Sequence, residues 1–246
     1  MTIGEIALAA LALLAAGIVK GVTGIGYSTT ALPLLALSIG LKTGMPLVLL
    51  PSISSNILVM RDAGGFREAA GRFWPIYVAV LPGLMLGLLV LPEVDDHLAA
   101  AVLGGVLAAY AGFMLVRGPW TMPERMASLA KGPVGLATGF FNGLTGSQVM
   151  PLVPYLLSAG LTPALFIQAS NISFTMSSLV MLVGLARIGL LGWWELGLSL
   201  AGILPALLGV AVGNVLRRRL AAETIRTLVL GALVAMGFAL ILKAVA

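Results

Sequence analysis

The sequence predicts an all-α, polytopic helical membrane protein made of two homologous four-segment halves. Three observations carry that prediction. The chain of 246 residues is 60% hydrophobic and only 9% charged, with a mean hydropathy of +1.10, whereas a soluble domain carries about 25% charged residues. Apolar, nearly charge-free segments follow one another at 3–39, 44–60, 74–92, 98–116, 132–159, 162–185, 193–215 and 224–243. Most are close to the ~20 residues that take a helix across a ~30 Å hydrocarbon layer. Short motifs then recur in the same order in both halves. Strict apolar–polar alternation is absent, which disfavours a β-barrel.

The repeat sets the organisation. Gly21-Val-Thr-Gly24 matches Gly143-Leu-Thr-Gly146, Ser54-Ser-Asn-Ile57 matches Ala169-Ser-Asn-Ile172, and the run from Pro82 matches the run from Pro205, at offsets of 122, 115 and 123. Each half is one unit of four segments, a to d: residues 1–118 form the first membrane repeat, 119–131 a connecting loop and 132–246 the second, within one integral membrane domain. Such repeats are typical of secondary transporters. The first segment lacks a basic start and runs on into polar residues, so it is read as a retained membrane element rather than a cleaved signal peptide.

Segment a of the first half is too long for one crossing. As a straight helix, residues 3–39 would span about 55 Å at 1.5 Å per residue. Gly21, Gly24 and Gly26 permit φ > 0 and close backbone approach, so they can interrupt it. Unwound backbone is tolerated at membrane depth where protein buries it or a wet cavity adjoins it. A restarting helix offers free N–H groups and a positive dipole end to an anion. Thr23, Ser28, Thr29 and Thr30 add hydroxyls there. The second a segment offers Asn142, Thr145, Gly146, Ser147 and Gln148. Close helix packing is the bland alternative for these small residues. Lys20 is the one ionisable group deep in the membrane. A lysine there costs about 2.5–3.5 kcal/mol on insertion scales, so it faces a cavity or partner, or else snorkels to an interface.

Segment b places Ser52, Ser55 and Asn56 on one helix face, and its copy does the same with Asn171, Thr175 and Ser178. These side chains suit either an oxyanion or contacts between helices. Thr162-Pro163 reads as a helix cap followed by proline at the first helical position. Segment c carries Gly83-xxx-Gly87 and Gly209-xxx-Gly213, spacings for close packing within the chain or across a dimer. Pro82 and Pro205 are expected to kink these helices. Glu93, Asp95 and Asp96 before segment d read as solvated. Trp74, Trp120, Trp193 and Trp194 read as interfacial anchors.

Orientation follows the basic residues. One crossing per segment divides Lys and Arg eight to five between the two sides. Returning each a segment to its own side gives ten to three, with Arg61, Arg67, Arg72, Arg117, Arg125, Lys131, Arg217, Arg218, Arg219 and Arg226 together. The positive-inside bias favours the second arrangement, in which the repeats are inverted and their first segments broken or re-entrant.

The motif Gly21-Val-Thr-Gly-Ile-Gly26, its copy Gly143-Leu-Thr-Gly146, the Ser-Asn of segment b and the Pro-Gly of segment c resemble the sulfite exporter (TauE/SafE) family over nearly the whole length. The resemblance implies a bacterial-type inner-membrane, multi-pass transporter of small sulfur-containing anions such as sulfite, sulfonates or sulfoacetate. The family pattern continues with glycines where this chain has Tyr27 and Ser28, and the second copy has Ser147-Gln148, so the substrate is open.

The expected substrate site gathers Lys20, Thr23, Gly24, Gly26, Ser28, Thr29, Ser55, Asn56, Asn142, Thr145, Gly146, Ser147, Gln148, Asn171 and Thr175. The function read from it is alternating access around a midplane site formed by two Gly-Thr-Gly tips. A channel-like anion facilitator and a non-transporting membrane partner are the alternatives. The expected partners are a small anion and the lipid bilayer. A coupling ion (proton or sodium) and a homodimer are left open. An intramembrane enzyme is disfavoured, since the chain has no cysteine and His97 as its sole histidine, without a nucleophile–base or metal motif. No catalytic residue, metal site or cofactor is therefore expected. The +5 formal charge and pI near 10.0 sit in short loops and do not suggest nucleic acid.

Overall fold

The computed structural model describes residues 1–116 and 121–245. Arg117, Trp120 and the expected repeat boundary at 118/119 lie outside the described residues. The rest is helical. The first half comprises α1 (Ile3–Thr23), α2 (Tyr27–Ser38), α3 (Leu41–Ala63), α4 (Phe66–Val90) and α5 (Asp96–Val116). The second comprises α6 (Glu124–Thr145), α7 (Leu152–Ser158), α8 (Pro163–Arg187), α9 (Trp193–Ala201), α10 (Ile203–Arg217) and α11 (Ala222–Val245). Seven spans among the described residues are long and apolar enough to cross a membrane, α9 and α10 counting as one. The chain is an all-α, multi-pass membrane protein.

Both a segments are broken, and in the same way. α1 ends where Gly24 turns left-handed (φ 80°), its N–H donating to the Lys20 carbonyl at 2.7 Å. α6 ends where Gly146 does so (φ 74°), its N–H donating to the Asn142 carbonyl at 2.7 Å. The Thr23 hydroxyl donates back to Val19 O at 2.8 Å and accepts from Ile25 N at 3.3 Å. The Thr145 hydroxyl donates to Phe141 O at 2.6 Å and accepts from Ser147 N at 3.2 Å. Threonine and left-handed glycine together thus supply partners for the carbonyls and amides that a helix end exposes.

Glycines determine which helices meet. Gly17 and Gly21 of α1 press on Ala206, Gly209, Val210 and Gly213 of α10; Gly139 and Gly143 of α6 press on Val80, Leu84 and Gly87 of α4. Each pair runs in the same direction, with backbones so close that a Cβ on any of these four glycines would strike a carbonyl. Such approach maximises dispersion contact where lipid supplies no hydrophobic drive. The Gly-xxx-Gly spacings of segment c are therefore consumed within the chain. Their structural equivalence is also displaced: Gly83 and Gly87 occupy the places of Gly209 and Gly213, an offset of 126 rather than the 123 separating Pro82 from Pro205. Pro205 follows the interruption at Gly202 between α9 and α10, where its missing N–H leaves Ala201 O without the helical donor.

Two further pairs join like to like, α5 with α11 and α3 with α8. Gly104 of α5 faces Gly237 and Leu240 of α11 while Arg226 donates to Met114 O at 2.7 Å, so these helices run oppositely. α3 and α8 also run oppositely, with Gln168 beside the Met60 and Gly64 carbonyls and Ser178 and Met181 close to Met45 and Val48. The end of α7 returns to the start of α6, where Met122 N donates to Ser158 O at 2.9 Å and Tyr155 Oη to Ala127 O at 2.9 Å. The end of α2 lies with the end of α11: Lys243 Nζ donates to Ala36 O at 3.1 Å and Leu37 O at 3.0 Å.

Several expected loops are helix. Arg67 and Arg72 lie in the first turns of α4, and residues 124–131 begin α6. Asp96 is not simply solvated: its carboxylate accepts from Leu41 N at 3.0 Å and Lys42 N at 2.7 Å, capping α3, whose N-cap Gly40 has no side chain to do so. Asp95 accepts from Leu98 N at 2.8 Å in the same role for α5. Thr162 caps α8 through Leu165 N at 3.3 Å, as its sequence suggests. Trp74, Trp193 and Trp194 are exposed.

Candidate functional site

Lys20 stands in the last turn of α1, where the negative end of the helix dipole favours a cation. It does not snorkel: its side chain is 0% exposed. Nζ donates to Asn56 Oδ1 of α3 and, at 2.7 Å, to Asn171 Oδ1 of α8. The repeated asparagines of segment b therefore converge on one ammonium. Asn171 Nδ2 also donates to Gly24 O at 3.0 Å and Ile167 O at 2.7 Å, tying the break in α1 to α8. Among the described residues the one ion pair is Arg226–Glu223 at 3.4 Å, so neutral amide oxygens alone hold the Lys20 charge. The cost of burying a charge calls for pairing.

A cavity of about 250 Å³ reaches Lys20, bounded by Gly21, Gly24, Asp62, Ile167, Asn214 and Arg217 among others. It lies toward the ends of α3 and α10 and the start of α8. Beyond Lys20 the space narrows to two cavities of about 10 Å³ each, the room of roughly one water. The first is lined by Lys20, Gly26, Tyr27, Ser28, Thr29, Ser52, Asn56, Gln148 and Phe174. The second is lined by Ser28, Gln148, Asn142, Gly146 and Ser178, and by the apolar side chains of Leu32, Met45, Val48, Leu49 and Met181. Ser28 and Gln148 belong to both, so residues from the two Gly-Thr-Gly breaks meet here.

Many polar atoms along this line have no protein partner. Tyr27 Oη, Asn56 Nδ2, Asn142 Nδ2 and Gln148 Oε1 are buried and unbonded. Gln148 Nε2 donates to Phe174 O at 3.4 Å, and Ser28 Oγ to Ser52 Oγ at 3.4 Å. An unmet buried donor or acceptor costs about 1–3 kcal/mol, so each of these atoms calls for water or another partner. α2 restarts after Gly26 (φ 83°) with no side chain capping its first turn, beside the same cavity.

The expected residues fall into two groups. Lys20, Gly24, Gly26, Ser28, Thr29, Asn56, Asn142, Gly146, Gln148 and Asn171 line these spaces or bond to one another around them. Thr23, Thr145, Ser55 and Thr175 instead spend their hydroxyls on backbone; Ser55 donates to Ser52 O at 2.9 Å and Thr175 to Asn171 O at 2.8 Å. Ser147 is buried but lines none of the three cavities. Ser52, read from sequence on the same face as Asn56, also lines the space, and the structure adds Tyr27, Asn214 and Arg217. Asn214 had a signal in sequence, being a lone amide just ahead of the arginine run.

The two restarts are unequal. α7 has seven residues against twelve in α2, and it follows Pro151 rather than a glycine. No group of three His, Cys, Asp or Glu side chains that could hold a metal ion occurs among the described residues. A family model described as sulfite exporter TauE/SafE matches residues 9–240. No curated protein and no solved structure matches the chain.

Proposed function

Because the chain belongs to the sulfite exporter TauE/SafE family of membrane transporters, we propose that it moves a small sulfur-containing anion of the sulfite, sulfonate or sulfoacetate class by alternating access. The observation that carries this reading is Lys20, buried, in no ion pair among the described residues and lining a cavity that Asp62 and Arg217 also line. An oxyanion would take the remaining N–H of Lys20, the free Asn56 amide and the uncapped first turn of α2 once the one-water space that they line opens to admit it. Charge-assisted bonds of this kind are roughly twice as strong as neutral ones. Beyond it, Gln148 and Asn142 would continue the path.

The helix directions support an inverted arrangement of the halves. With α1 parallel to α10, α6 parallel to α4, and like helices antiparallel, the ends of α1–α2 face one side and those of α6–α7 the other. The arginine-rich side then holds the cavity mouth, and the positive-inside bias makes it cytoplasmic. Leu32, Met45, Leu49 and Met181 close the far side, which supports alternation rather than an open pore. Both breaks would act as facing tips at the point where access switches.

Proteoliposome uptake across sulfite, an alkylsulfonate, sulfoacetate, sulfate and acetate tests this. Saturable uptake of at least one sulfur-containing anion above sulfate and acetate is expected. Uptake of none of them, or equal uptake of all, overturns the substrate class.

A further inference from the structure

A second cavity, of about 400 Å³, lies on the other flank of the α1–α2 break. It falls within the roughly 300–1,000 Å³ range of small-ligand sites. It shares Gly26, Thr29 and Arg217 with the cavities around Lys20, but the rest of its lining is more apolar. Ile25, Tyr110, Val229, Leu230 and Leu233 make its wall chiefly apolar, and no carboxylate lines it. Two arginines do, Arg217 and Arg226. Arg226 is anchored by its 2.7 Å bond to Met114 O and by Glu223 at 3.4 Å. Arg217, at the end of α10, is exposed and in no ion pair among the described residues. Arg218 and Arg219 follow at once, so the cavity lies where the chain carries its densest positive charge.

The position argues for an occupant drawn from the bilayer. The wall is shared by α5 and α11, and α11 is the least buried of the seven candidate spans, at 22%. Thr23, Thr29, Thr30 and Tyr110 bring hydroxyls to the wall, but most of its residues are apolar, and a hydrocarbon chain buries that apolar surface. Basic pockets between membrane helices suit anionic headgroups, and arginine suits phosphate because its planar fork can donate two parallel bonds. We propose that this cavity is a site for an anionic phospholipid. One acyl chain fills the space between the break, α5 and α11, and the phosphate is held by Arg217 and Arg226. The acyl chain then lies against Thr23, Ile25, Gly26 and Thr29, of which Gly26 and Thr29 also line the small cavity at Lys20, and buttresses the break.

The test uses the purified full-length protein, equilibrated with vesicles containing equal phosphatidylglycerol and phosphatidylcholine, recovered, and its retained lipid counted by native mass spectrometry. Wild type retains phosphatidylglycerol over phosphatidylcholine by roughly thirtyfold, the size expected from two arginines near the surface at about 1 kcal/mol each. The double variant Arg217→Gln/Arg226→Gln loses that preference. Leu233→Trp, which fills the cavity and keeps every charge, lowers retention of both lipids. Arg218→Gln/Arg219→Gln removes the same charge from outside the cavity and keeps the preference. The proposal is overturned by parity of the two lipids in wild type, or by equal loss in both arginine pairs, which would mark diffuse attraction. It is also overturned if Leu233→Trp leaves retention unchanged, or if an alkylsulfonate displaces the phospholipid and proves to be the occupant.

Discussion

Both side-chain oxygens that accept from Lys20 Nζ belong to amides, and on the proposed function an outside anion is what meets its charge. Asn56→Asp changes that with little else disturbed, because Asn56 Nδ2 bonds to nothing. The new carboxylate would neutralise Lys20 from within. The thermal midpoint should hold or rise while anion affinity falls by about tenfold or more, since a buried ion pair competes with a ligand for the same charge; melting curves and calorimetric titration measure the two. Thr23→Ala should behave differently. Its hydroxyl serves Val19 O and Ile25 N, so the loss should be about 1 kcal/mol of stability, read by thermal melting. A polar residue in an apolar run was legible in sequence as special. Whether its hydroxyl served a ligand or its own backbone was not, since that depends on a turn closing two residues later.

The helix is the scale at which the repeat became precise. Recurring glycines advertised close packing, but the partner of each stripe depends on tertiary contact. Pattern matching aligned the prolines, whereas packing aligns Gly83 and Gly87 with Gly209 and Gly213. Gly139→Val should push α6 off α4, because its Cβ would meet the Val80 carbonyl and Leu84 N. Overpacking of that kind costs about 1–3 kcal/mol or more, and a lowered midpoint with reduced accumulation is expected. Gly105→Ala, where nothing lies within 4 Å, should be neutral or stabilising by up to ~1 kcal/mol. Equal effects at both positions in the same melting assay would contradict the packing account. The ends of helices were the least legible elements: α4 and α6 extend through charged residues that hydropathy alone assigns to loops.

At the scale of the whole molecule, charge asymmetry and segment length suggested the side of each loop before any contact was known. The chain has no cysteine, so Glu93→Cys and Arg218→Cys give labelling sites against no background. Labelling from opposite sides of sealed vesicles is expected; labelling from one side would sink the inverted arrangement. What sequence did not reveal was the cavity leading to Lys20, because its wall draws on α1, α3, α8 and α10, elements far apart along the chain. The most direct test of that cavity's purpose is titration of the purified protein with sulfite and sulfoacetate, wild type against Lys20→Met at equal folded fraction. Binding by wild type and its loss by more than about tenfold in Lys20→Met is the predicted result, as for removing a charge that pairs with a buried ligand. Equal affinity in the two proteins would contradict it.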